Sequence, residues 1–110
     1  MEQLDRQIID WIAANATDEA VASQLRAASV RKRDYMRTGY FVYLDVPDDT
    51  PPIEGKINVV CPDIASSELL DGAGTELFLR DGRLHYLEIY ARGGFFPPDL
   101  TEFRLLQPDE

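Results

Sequence analysis

Apolar residues at Leu4, Ile8, Ile9 and Ile12 recur at the spacing of one α-helical face, predicting a helix over residues 2–15 with Trp11 at the stripe's edge. Asn15-Ala16-Thr17 interrupts the pattern. Thr17 is placed to cap a second helix running to about residue 28, with Asp18 and Glu19 in a first turn whose dipole favours acids. Ala20, Val21, Leu25 and Ala28 give that helix a narrow apolar face, so the two read as a helical hairpin. From Val30 onward aromatic and β-branched residues take over. Residues 30–36 and 40–46 are predicted strands around a turn at Thr38-Gly39. Residues 47–52, Pro-Asp-Asp-Thr-Pro-Pro, form a loop, since proline offers no ladder donor and restrains the residue before it. Residues 57–61 read as a buried strand stopped by Pro62, and residues 63–75 as a surface loop with room for one helical turn.

The sharpest local signal is Asp81-Gly82 between the predicted strands 76–80 and 83–91, because a type I′ hairpin turn asks for positive φ at both central residues. An unbroken hairpin sets Arg80 opposite Arg83, Leu79 opposite Leu84 and Leu77 opposite Tyr86. One face then holds Leu77, Leu79, Leu84 and Tyr86, and the other holds Phe78, Leu87 and Ile89. Apolar residues on both sides predict a hairpin covered, at least in part, on both faces. Gly93-Gly94 and Pro97-Pro98 make the next connection, and residues 103–106 a last strand. The expected fold is α+β, with two N-terminal helices packed on one face of a mostly antiparallel meander of five to six strands. It spans residues 1–110 as one domain, with a helical hairpin over 1–28 and a β-rich part over 30–106.

Length and composition agree with one folded domain: 110 residues, 45% hydrophobic, with five Phe, five Tyr and one Trp. No apolar run approaches the roughly 20 residues of a membrane helix, and the first residues lack the basic and apolar regions of a signal peptide. A single cysteine, Cys61, cannot form an internal disulfide, and the expected compartment is the reducing cytoplasm. Charge adds more. The net charge of −9 lies entirely after residue 40: residues 1–40 hold six acids against six bases, and residues 41–110 hold fourteen against five. Such a field repels nucleic acid and anionic membrane and steers toward basic partners.

No catalytic constellation emerges from the residues, and no enzyme is expected. Asp48 with Glu54 and Lys56 superficially matches a metal-dependent nuclease core, but in a proline-rich loop rather than on adjacent strands. One histidine, His85, excludes a multi-histidine zinc site. A Cys61–His85 nucleophilic pair is conceivable, yet Cys61 ends an apolar segment with no cation to activate it and reads as a core residue. Gly72-Ala73-Gly74 precedes a strand rather than a helix and is no phosphate cradle. Asp45, Asp48 and Asp49 do not match a calcium-loop spacing. No metal or cofactor is expected. On a regular strand Arg31, Arg33, Tyr35 and Arg37 share a face, which reads as an edge guarded by charge rather than an RNA contact. Tyr90, Phe95 and Phe96, beside Gly93-Gly94 and Pro97-Pro98, either tuck under the sheet edge or serve as rigid anchors for a partner.

Several segments carry a family resemblance: Gly-Tyr-Phe-Val-Tyr-Leu-Asp-Val-Pro from Gly39, Pro-Pro-Ile-Glu-Gly-Lys from Pro51, and Leu-Phe-Leu-Arg-Asp-Gly-Arg-Leu from Leu77. Tyr-Leu-Glu-Ile-Tyr from Tyr86 and Phe-Pro-Pro-Asp-Leu-Thr-Glu-Phe from Phe96 complete the set. Over residues 40–105 the chain resembles small bacterial proteins encoded near polymorphic or contact-dependent toxins, several of which are immunity proteins. These motifs are structural, so the resemblance carries over no active site. It implies a non-enzymatic protein that binds and neutralises a toxin, expected to be basic and nuclease-like. The expected contact surface has Tyr90, Phe95 and Phe96 as anchors and Asp45, Asp48, Asp49, Glu88, Asp99 and Glu102 as its charged surround. The alternative is a small structural or scaffolding domain with an exposed strand through which it can form a homodimer. The oligomeric expectation is a monomer or a weak homodimer, with no nucleic acid and no membrane as partner.

Overall fold

In a computed structural model, which describes residues 2–108, the predicted apolar stripe of the first helix is buried: Leu4, Ile8, Ile9 and Ile12 all point into the core from α1 (Glu2–Asn15). Helix α2 (Glu19–Ala27) follows after a short bend and contributes Val21, Ala22 and Leu25. Its N-cap is Asp18, one residue after the predicted Thr17, because the Asp18 carboxylate accepts the Val21 amide at 3.0 Å. The strands are β1 (Ser29–Met36), β2 (Gly39–Asp45), β3 (Asp63–Ala65), β4 (Ala73–Arg80), β5 (Arg83–Ala91) and β6 (Arg104–Leu106). They form one antiparallel six-stranded sheet in the order β1-β2-β5-β4-β3-β6. The α+β architecture with N-terminal helices is therefore as expected. The sheet is not a simple meander, since β5 inserts between β2 and β4.

Two differences from the sequence reading follow from edge and register. Residues 57–61 are not a strand. Ile57, Val59 and Cys61 lie half-buried against the core while Asn58 and Val60 face solvent, so the segment packs its side chains without laddering its backbone. The third strand instead comes from residues 63–65, inside the predicted loop. The hairpin turn is as expected, with φ of 53° at Asp81 and 75° at Gly82. Its register holds for Arg80 with Arg83 and Leu79 with Leu84, then shifts. A β-bulge leaves His85 extra, so Phe78 faces Tyr86 and Leu77 faces Leu87.

That bulge sorts the side chains. Leu84, Leu87 and Ile89 turn toward the helices together with Tyr40, Val42 and Leu44 of β2, and all six are buried. Phe78 and Tyr86 turn away. Two helices cover one face only, so the predicted cover on both sides is not found. Among the described residues no helix covers the reverse face, where Phe41, Tyr43, Phe78 and Tyr86 lie half-buried against one another.

Two buried polar groups tie the layers together. The Asp5 carboxylate of α1, 1% exposed, accepts the Tyr40 hydroxyl at 2.6 Å and forms an ion pair with Arg33 of β1. Burial, reinforced by that neighbouring carboxylate, raises the Tyr40 phenol well above its ordinary value and keeps it protonated. On α2 the fully buried Gln24 donates to the carbonyls of Pro51 and Gly82, each at 2.9 Å, and accepts the Leu84 amide at 3.0 Å. One side chain thus joins helix, proline loop and hairpin turn. No helix among the described residues is long and apolar enough to cross a membrane.

Candidate protein-binding surface

The three aromatic residues expected to anchor a partner are not brought together. Phe96 is fully buried, its ring edge-on to Tyr40 at 5.6 Å, and belongs to the core. The chain holds it there because its amide donates to the Arg37 carbonyl at 2.8 Å and its carbonyl accepts the Tyr35 hydroxyl. Its neighbour Phe95 turns the other way, 63% exposed, with the Arg37 guanidinium 4.6 Å over its ring. Tyr90 lies on the open face of the sheet, seated on Gly74. A Cβ at position 74 would come within 2.4 Å of the Tyr90 ring, so the glycine makes this seat.

The expected acids are scattered as well. Asp45 ends β2 beside Arg31 at 3.7 Å, about 20 Å along the strand from Gly39 at a rise of about 3.4 Å per residue. Asp48 and Asp49 sit in the loop after it. Arg83 pins this loop through its backbone, donating to the Thr50 carbonyl at 2.6 Å and the Asp48 carbonyl at 2.9 Å. Glu102 is a staple. Its carboxylate accepts the amide and hydroxyl of Ser67, while Glu68 reciprocally accepts the amides of Thr101 and Glu102. These bonds hold both carboxyl groups below the usual range: the Glu102 amide chiefly acts on Glu68, and the Ser67 hydroxyl on Glu102. Asp99 borders a depression with Gln3 and Gln7 of α1. Of the nine expected contact residues, Asp99 and Glu102 border one depression, and Glu88 and Tyr90 share the aromatic face of the sheet.

That surface is the open face of the sheet. Cross-strand pairing and the bulge set Phe41, Tyr43, Phe78, His85 and Tyr86 side by side. Phe78 stacks on Tyr86 with ring centroids at 4.5 Å, and Phe41 meets Tyr86 edge-on at 5.5 Å. Tyr43 packs at 5.7 Å from Tyr86 and 6.0 Å from His85, with Arg31 and Lys32 over its ring. Glu88 stands within this ring field. It has Tyr86 and Tyr90 two residues away on its own strand, Phe41 beside it on β2 and Glu76 beside it on β4. Like charges directly opposite one another repel, and neither Glu76 nor Glu88 has an ion-pair partner among the described residues.

Sequence reading missed Phe41, Tyr43, Phe78 and Tyr86 as surface residues. The available signal was the alternation in Tyr40-Phe41-Val42-Tyr43-Leu44, combined with only two helices to cover two faces. The β1 reading also changes. A bulge at Arg31 separates it from Arg33 and Tyr35, which turn toward the helical layer, while Lys32 and Asp34 face the open side.

Cys61 and His85 do not meet. Cys61 lies at the outer edge of β4, where the Leu77 amide reaches its sulfur, and burial pushes its thiol up to about 11. His85 belongs to the aromatic cluster on the open face. Among the described residues no three His, Cys, Asp or Glu side chains come together as metal ligands. No protein-family model, curated protein or solved structure matches the chain.

Proposed function

We propose that the protein is a non-enzymatic binding module that docks a basic protein on the open face of its sheet and blocks that protein's cationic surface. This is the action of an immunity protein on a nuclease-like toxin. The observation that carries this reading is the uncovered aromatic face with Glu88 at its centre. Aromatic rings there supply large rigid contact area, and an ion pair to Glu88 would form where the rings exclude water. The chain's excess of acid steers a basic partner toward it and raises the association rate. Asp34, Glu76 and Glu88 share this face with Lys32 and Arg80, so nucleic acid is disfavoured by the chain's net charge of −9 rather than by the face alone. The reading places the protein in the reducing cytoplasm, where Cys61 stays free.

The test searches the neighbouring reading frames for a basic toxin domain, takes it as titrant and follows association by stopped flow; the lack of any such binder would count against the reading. The on-rate should fall steeply as salt rises, and Glu88→Gln or Tyr86→Ala should weaken binding while Asp49→Asn leaves it nearly unchanged. Salt-insensitive association, or a stronger effect at Asp49 than at Glu88, would sink the assignment of this face.

A further inference from the structure

The outer edge of β4 is complementary to itself. Strand β3 bridges β4 only at Ile64 with Ala73, so the stretch from residue 74 to Arg80 has β5 on one side and no strand on the other. Arg80 and Arg83 flank the two-residue turn and bond to each other, and backbone groups alternate along a strand, so Leu77 and Leu79 point their amides and carbonyls outward, Leu77 beside Cys61. No backbone hydrogen bond among the described residues takes up the Leu79 groups on that side. A 440 Å³ groove bordered by Ile57, Val59, Cys61, Leu77 and Leu79 runs beside this edge. The other long edge, β1, is guarded by Arg31, Lys32 and Arg33 in succession and by a bulge. The β4 edge carries no such guard, and no proline.

We propose that two copies of the chain pair antiparallel through their β4 edges, about a two-fold axis at Phe78. In this register Leu77 of each copy lies opposite Leu79 of the other, so the outward backbone groups exchange about four hydrogen bonds in all. The weak thiol contact of Cys61 gives way to a carbonyl. The charges select this register. Glu76 and Arg80 share the open face with Phe78, and the two-fold axis sets each Glu76 opposite the second copy's Arg80 and the two Phe78 rings against each other. The copy's guanidinium is the cation that Glu76, crowded by Glu88 on its own sheet, lacks at home. On the helical side Leu77 and Leu79 interdigitate with their counterparts. The product is one continuous twelve-stranded sheet that leaves both Glu88 patches open on the same face.

Sedimentation equilibrium on the intact chain from about 1 µM to about 1 mM tests this, a range suited to an edge-to-edge contact of modest area. A monomer–dimer equilibrium is expected. Glu76→Arg or Arg80→Glu alone turns two symmetric attractions into repulsions and should weaken the dimer about thirtyfold. Glu76→Arg combined with Arg80→Glu should restore it, and circular dichroism should show every variant folded, since both positions are exposed. A wild-type chain monomeric throughout, single variants that dimerise normally, or a double variant that fails to recover would each overturn the proposal.

Discussion

Replacing Gln24 by leucine removes a single amide and should cost far more than its polarity suggests. The side chain has no solvent exposure and holds three backbone groups at 2.9 to 3.0 Å. Leucine fills a similar volume but leaves those groups behind. The Gly82 carbonyl keeps its bond from the Ile53 amide at 2.9 Å. The Pro51 carbonyl and the Leu84 amide keep nothing comparable. The orphaned Leu84 amide is buried and costs about 1–3 kcal/mol, while the Pro51 carbonyl, on an exposed residue, can turn to water and adds about 1 kcal/mol, about 2–4 kcal/mol together. The added apolar burial returns about 1–2 kcal/mol. The net loss is about 1–2 kcal/mol, or about 4–8 °C in Tm for a domain of this size. Urea unfolding followed by Trp11 fluorescence measures it, with the denaturant dependence expected to stay unchanged. Gln24→Glu sharpens the test. A carboxylate facing two carbonyls is repelled, so its destabilisation should be greatest at neutral pH and ease as acid protonates it. A Gln24→Leu loss below about 1 kcal/mol would show that the three bonds form without contributing net stability, and the reasoning would fail.

Three further outcomes are expected. Asp5→Ala strands the buried Tyr40 hydroxyl and should cost about 3 kcal/mol, the low end for a broken buried pair because Arg33, 30% exposed, can turn to water; Asp5→Asn should cost less, and urea unfolding separates them. Cys61 should react slowly with a disulfide reagent at pH 8 and faster as pH climbs through about 11; because folding favours the neutral thiol, its contribution to stability is present below pH 9 and lost as pH rises toward 11. The Glu68 and Glu102 staples should hold above the ordinary carboxylate range and open as pH falls through their lowered values, seen as faster hydrogen exchange at the Ser67, Thr101 and Glu102 amides while core amides stay protected.

Helices, hairpin turn and most strands were legible because each rests on local chemistry: the Leu4–Ile12 period, the Asp81-Gly82 turn, and β-branched runs between glycine and proline. The hidden features depend on distant partners. Nothing near His85 announces a bulge, yet that one extra residue decides which of Leu77, Phe78 and Tyr86 meet the helices. Residues 57–61 have the composition of a strand, but they lie beside the β4 edge with their side chains against the core and form no backbone ladder with it. Phe95 and Phe96 are indistinguishable as letters. Only the bond from the Phe96 amide to the Arg37 carbonyl, far off in sequence, sends one inward and the other out. The candidate surface was legible in its chemistry, acid with aromatic, and not in its place.

The narrow joint between β3 and β4 divides the molecule into two grades of cohesion. On one side stand the helices and the β1-β2-β5-β4 ribbon, joined by aliphatic packing that salt and mild acid leave intact. On the other stands the β3-β6 pair, which meets β4 through one bridged residue pair. Its other fastenings to the rest are mixed: Arg92 to Asp63 at 2.5 Å, the Thr75 hydroxyl to the Pro62 carbonyl, and Ile64, Leu69 and Leu100 buried in the common core. Screening or protonation of the Arg92–Asp63 pair weakens this joint while the buried Ile64, Leu69 and Leu100 still hold it to the core. Its release would lengthen the unpaired edge of β4 down to Ala73. How much strand the protein offers to another chain thus becomes a property of the solution as well as of the sequence.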